Sequence, residues 1–234
     1  MSDSTSSLSI LSNIFTAPER AFKDIQQSYP ILLPLLLIIA AQAIVAVLLF
    51  SSIDFEWYVD YMVEATAGDK SGAEQDQIRQ GFEMMSPTTM SAMAVVGSAI
   101  GIPVIFAIFS LYFVIVSNIT NDGFQFKQWF SFICWTSLPM LVDVLASIMT
   151  ILTASNGQFA PESINPLTLN ELFFGLDAMQ GLGNIMASTS ITLLATISLL
   201  TIGYAKWTEK SLAKSFMIIM VPYVIYYGIR FLML

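Results

Sequence analysis

From Ile31 to Ile53 the chain carries no charge and is almost wholly apolar. About 20 such residues wound as a helix cross the ~30 Å of hydrocarbon in a bilayer, so this run predicts a transmembrane helix. It exceeds the apolar core of a signal peptide and lacks a clear cleavage site, so it is expected to be retained. Similar runs recur at residues 90–117, 129–153, 185–204 and 212–233. The fold class expected is an all-α membrane protein: a polytopic bundle of about five transmembrane helices with an N-terminal amphipathic helix. Composition agrees. Charged residues make up 11% of the chain and hydrophobic ones 56%. Soluble domains carry about 25% charged residues. So little polar surface cannot coat a water-soluble globule, whereas lipid tolerates apolar side chains facing outward.

The same composition excludes several chemistries. There is no histidine, which removes His-based triads, His metal sites and His proton relays. The single cysteine, Cys134, lies in an apolar run and reads as a small packing residue. No metal or other cofactor is implied. The net charge of −8 argues against nucleic acid as a partner.

The domain organisation expected is a cytoplasmic tail over residues 1–29 and a membrane domain over residues 30–234. Residues 1–7 are rich in Ser and Thr and read as disordered. Leu11, Phe15, Pro18, Phe22, Ile25 and Tyr29 recur at helical spacing, with Thr16 and Glu19 fitting a capping box. That pattern leaves open a helix lying on the membrane surface or one docked on the protein's own bundle. Residues 54–86 are acidic: Asp54, Glu56, Asp60, Glu64, Asp69, Glu74, Asp76 and Glu83 against Lys70 and Arg79. They read as a helical hairpin outside the lipid. Gly97 and Gly101 stand at the spacing that lets two helices approach closely in lipid. Pro103 and Pro139 are candidate kinks. Asp143 and Arg230 are ionisable residues inside apolar runs and form a candidate intramembrane polar pair. The basic residues Arg20, Lys23, Lys127, Lys206, Lys210 and Lys214 fall on one side of the proposed topology. Lys70, Arg79 and Arg230 fall on the other. The asymmetry predicts a cytoplasmic N-terminus and an extracytoplasmic C-terminus in the cell (inner) membrane.

Three stretches point to a family. "FTAPERAFKDI" precedes the first span, "GFQFKQWFSFICWTSLPML" leads into a proline-bearing third span, and "SLLTIGYAKWTEKSLAKSFMIIMVPYVI" joins the last two. Their order resembles the Yip-domain family (Ypt/Rab-GTPase-interacting proteins), in particular its bacterial-type members, over most of residues 8–234. The resemblance implies a five-span membrane domain. The family's eukaryotic members bind Rab-type GTPases and shape early secretory membranes. The aspartate-tyrosine-glycine-proline motif typical of them is absent here, and the resemblance supplies no catalytic residue.

Three functions compete. An enzyme lacks support: there is no zinc-protease motif and no serine-nucleophile elbow. Gly181-Leu182-Gly183-Asn184 has asparagine where an intramembrane aspartyl protease needs an acid. A transporter of a small solute, ion or lipid could use a polar path around Asp143, Arg230, Gln42 and the run Ser188, Thr189, Ser190 and Thr192. The same hydroxyls could simply bond between helices. The resemblance favours a third reading: a non-enzymatic scaffold that organises membrane or binds partners. Its partners would be the lipid bilayer and other membrane proteins or a second copy of itself.

Overall fold

A computed structural model describes residues 6–234. The expectation of disorder for residues 1–7 therefore lies mostly outside the described residues. Ser6 and Ser7 instead cap and begin a helix. Among the described residues eleven α-helices follow one another: α1 (Ser7–Thr16), α2 (Pro18–Ser28), α3 (Leu32–Ser52), α4 (Phe55–Ala67), α5 (Gly72–Glu83), α6 (Pro87–Thr120), α7 (Phe126–Thr136), α8 (Met140–Thr153), α9 (Gly181–Ala187), α10 (Thr192–Thr208) and α11 (Leu212–Leu232). Among the described residues no strand forms.

The protein is an all-α membrane protein. Among the described residues, four segments are long and apolar enough to cross a bilayer: Leu32–Ser52, Pro87–Thr120, Phe126–Thr153 and Leu212–Leu232. The expected span at residues 185–204 takes another form. Its first turn belongs to α9, which ends at Ala187, and α10 begins afresh at Thr192 and runs for 17 residues.

Contacts divide the chain into two compact units. The first comprises Met1–Ile39, Ile100–Leu141 and Ile191–Leu234. Its centre is α7, where Trp129, Phe132, Cys134 and Trp135 are all fully buried. Trp129 stacks on Phe113 at 5.0 Å and on Tyr204 at 5.6 Å, while Trp207 meets Phe132 at 5.0 Å. Such ring pairs add about 0.5–1.5 kcal/mol each beyond their buried area. Every indole N–H in this cluster donates to a partner: Trp129 to Ser117 Oγ at 3.1 Å, Trp135 to the Pro30 carbonyl at 2.7 Å, Trp207 to the Phe22 carbonyl at 2.9 Å.

The N-terminal segment is docked on this cluster. Ala21, Phe22 and Ile25 are fully buried, and Phe22 lies 5.6 Å from Phe132. The expected single helix is two. Pro18 opens α2 as its first residue, and the chain breaks at Ala17. The capping box expected at Thr16 and Glu19 does not form, because Thr16 Oγ1 donates back to the Ser12 carbonyl. The break changes the helical phase. Ile10 and Ile14 are the buried side chains of α1, whereas Phe15 is 54% exposed.

Gly203 on α10 makes this docking possible. A Cβ there would stand 2.5 Å from both the Phe22 and Phe132 rings. The chain then turns into α3 through Tyr29, in the left-handed region at φ 48°. A bulky residue is held in that conformation only by its surroundings. Its hydroxyl accepts from Gln128 Nε2 at 2.7 Å, and its ring meets Trp207 edge-on.

The second unit comprises Ala40–Ala99 and Val142–Ser190. Val45 and Leu49 of α3, and Ile53 just past its end, pack with Val144 and Ile151 of α8 and with Tyr58 of α4. Asp54 caps α4, and its backbone N–H donates to the Gly157 carbonyl at 2.9 Å. Gly157 has φ +68°, and a Cβ there would stand 2.6 Å from the Ser52 carbonyl. The acidic hairpin is α4 and α5, tied by Arg79 to Asp60 at 2.6 Å.

Proline placement differs in its effects. Pro103 lies inside an unbroken α6, as does Pro222 inside α11. Pro139, expected as a kink, separates α7 from α8: the helix stops at Thr136 and restarts at Met140. Proline offers no N–H and crowds the preceding turn, which accounts for the break.

If Gly203 is the seat of the N-terminal pair, Gly203→Val overpacks it and costs about 1–3 kcal/mol. Thermal unfolding in detergent should fall accordingly, and residues 6–29 should become protease-sensitive. Parent-like melting and protection would remove Gly203 from that role.

Candidate functional site

Asp143 stands in the first turn of α8. Its Oδ1 accepts a hydrogen bond from Ser190 Oγ, which also approaches the Leu167 carbonyl at 3.0 Å. Thr168 pairs with Ser190 in an isolated antiparallel bridge, and the Leu169 N–H donates to the Thr189 carbonyl at 2.7 Å. Thr168, Asn170 and Thr189 are buried beside it. Ser188, Thr189 and Ser190 form the turn after α9, and Ser190 meets the acid. Such a turn frees backbone groups that a continuous helix would satisfy, and hydroxyls with a carboxylate supply partners for them.

Arg230 belongs to the other compact unit, in the last turn of α11. Its guanidinium donates to the Tyr226 hydroxyl at 3.1 Å and lies 5.6 Å from the centre of the same ring. The position one turn back on a helix makes this contact natural.

Sequence reasoning missed a second charged centre. Asp122, in the loop after α6, pairs with Lys210, in the loop before α11. Their side chains are only 9% and 12% exposed. Thr120 Oγ1 donates to the other carboxylate oxygen, and Lys210 Nζ lies 5.5 Å from the centre of the Tyr204 ring. The loop turns sharply, with Asn121 and Gly123 both at positive φ, as the Asn-Asp-Gly sequence suggests. The available signal was that Asp122 is the only acid in its loop. Nothing in the sequence said which lysine it meets.

Outside the spanning segments, Tyr61 on α4 donates to Glu162. Burial first, then that hydrogen bond, pushes the Tyr61 hydroxyl above its ordinary range. Trp57 stacks on Tyr61 at 5.2 Å. The pair holds the 3-10 turn Pro161–Ser163 against the acidic hairpin.

Gly97 and Gly101 lie on α6 with open space beside them among the described residues. A Cβ built at either finds no atom of the described residues within 4 Å. Among the described residues no cluster of acids and cysteine could hold a metal ion.

Several apolar helices that cross a membrane, with their polar side chains tied to one another, define a multi-pass α-helical membrane protein. The family model for the Yip1 domain matches residues 12–233, and the chain belongs to that family. No curated protein and no solved structure matches it.

The Asp122–Lys210 pair generates a test. Removing one partner strands a nearly buried charge and costs about 3 kcal/mol. Asp122→Asn and Lys210→Gln should each lower the melting temperature, and the double variant should lose less than their sum. Additive losses would show that the two act independently.

Proposed function

We propose that this Yip-type protein is a non-enzymatic membrane scaffold that organises the bilayer or binds partner membrane proteins, a second copy of itself included. The supporting observation is the outer face of α6. This helix has 34 residues, and its most apolar window is only 17% buried. Gly97 and Gly101 lie on it with open space beside both. Small residues four apart let a second helix backbone approach, and in lipid such packing is a main source of association. The proposed setting is the inner membrane of a cell, with the N-terminus cytoplasmic and the C-terminus outside. The excess of Lys and Arg near α2, α7 and the α10–α11 loop supports that orientation.

Crosslinking in native membranes tests the scaffold reading. Self- or partner crosslinks through α6 are expected in the parent. Gly101→Leu should abolish them while leaving thermal stability unchanged, because a Cβ there finds open space among the described residues. Crosslinks of undiminished yield in that variant would remove α6 as the association face.

One observation favours a transporter instead: the interruption after α9 beside Asp143. Broken helices near ionisable residues recur at transport sites. Asp143 and Arg230 would be its charged groups. Reconstituted protein that moves a small ion or solute, with flux lost in Asp143→Asn, would replace the scaffold reading. Absence of flux across a panel of ions, solutes and lipids would leave the scaffold.

A further inference from the structure

The segment between Thr153 and Ser190 carries an unusual pair of properties. It is irregular, yet it exposes Leu172, Phe173, Phe174, Leu176 and Leu182, with Phe173 68% exposed. Contiguous apolar exposure of this kind needs a partner or a lipid environment.

Two fastenings set its depth. At one end, the Gly157 carbonyl accepts from the Asp54 N–H, just past the end of α3 at Ser52. At the other, Ser190 Oγ bridges the Leu167 carbonyl and Asp143. Asp143 lies ten residues before the end of α8 at Thr153, about 15 Å along the helix axis. The chain leaves α8 at its far end, touches the end of α3, and comes back to the level of Asp143 by Leu167. A segment that stayed in the aqueous loop region could not make both contacts.

Many of this segment's backbone groups find partners within it. Asn170 clamps the next turn with both ends of its side chain. Its Nδ2 donates to the Leu176 carbonyl at 2.9 Å, and its Oδ1 accepts from the Leu176 N–H at 3.0 Å. Thr168 Oγ1 accepts from the Glu171 N–H, Asn165 Oδ1 from the Leu167 N–H, and Asn184 Nδ2 donates to the Ala178 carbonyl. The π-turn Asn170–Phe174 closes with the Gly175 N–H on the Asn170 carbonyl. Gly183 packs so tightly that a Cβ would stand 1.9 Å from the Asp177 carbonyl. Water would supply such partners at little cost to a surface loop. Hydrocarbon supplies none, so irregular backbone there must bring its own.

We propose that residues 161–190 form a re-entrant segment that dips into the bilayer from the far end of α8, with Leu172, Phe173 and Phe174 in contact with lipid acyl chains. Leu167 and Ser190 mark its deepest point, beside Asp143. Glu171, the one charge in the π-turn, is exposed and reaches the headgroup layer, which places that turn in the outer part of the leaflet. The occupant of the apolar knuckle is the membrane itself.

Spin labels placed on full-length protein in lipid vesicles read this directly. In a background of Cys134→Ala, single variants Phe173→Cys, Leu172→Cys, Leu145→Cys and Ser155→Cys are labelled. Leu145 is an exposed residue of α8 and serves as the lipid reference, and Ser155 is the aqueous one. Collision with a charged nickel chelate is expected to be about tenfold lower at Phe173 and Leu172 than at Ser155, since ~1.4 kcal/mol of exclusion gives that factor. Collision with oxygen should match Leu145. Chelate collision equal to that at Ser155 would overturn the proposal and return the segment to water. Low collision with both probes would also overturn it, because a protein surface, not lipid, would then cover the knuckle. The two knuckle positions report independently, so a defect in one variant leaves the other to decide.

Discussion

Lipid withdraws the usual reason for helices to cluster, because acyl chains are as apolar as leucine. What remains is close packing and hydrogen bonds that hydrocarbon cannot replace. In the first unit both converge on the aromatic cluster around Trp129. Its rings fill the space between α2, α7 and α10, and its indole N–H groups fasten to Ser117, Pro30 and Phe22. The Pro30 carbonyl also accepts from Ser131 Oγ, so one oxygen ties the entry of α3 to two positions on α7. Truncating Trp129 would remove ring contacts to five neighbours at once: Phe113, Phe124, Phe132, Tyr204 and Trp207.

The membrane class and the helical character were plain in the sequence because twenty uncharged residues have few other destinies in a chain so poor in polar groups. Interruptions were harder. Pro18 and Pro139 were visible, but whether a proline bends or breaks a helix depends on what the neighbouring turns can bond to. Pro103 sits in an unbroken α6, while Pro139 ends α7. The break before Pro18 also spoiled the reading of α1, since a periodicity carried across a break names the wrong face. That is how Ile10 and Ile14, the buried side chains of α1, were passed over.

The polar sites were legible as residues and not as pairs. Asp143 drew notice as an acid in an apolar run, and the hydroxyls of residues 188–190 as a polar cluster. That Ser190 bonds Asp143 follows from the return of the chain after Gly157, which no local pattern announces. Asp122 and Lys210 lie 88 positions apart in two short loops. Each reads as an ordinary surface charge until the loops are brought together.

The bond from Trp207 to the Phe22 carbonyl joins residues 185 positions apart. The ribosome releases α1 and α2 well before Gly203 and Trp207, against which α2 is seated. Until α10 is made the buried faces of these two helices therefore have no home in the protein. They must rest elsewhere, on the membrane surface or in the grip of a chaperone, until α10 arrives. Their docking thus reports that translation has passed α10. A chain cut short before Gly203 would leave that pair of helices loose, and a quality-control protease would find its handle at the N-terminus instead of at the site of truncation.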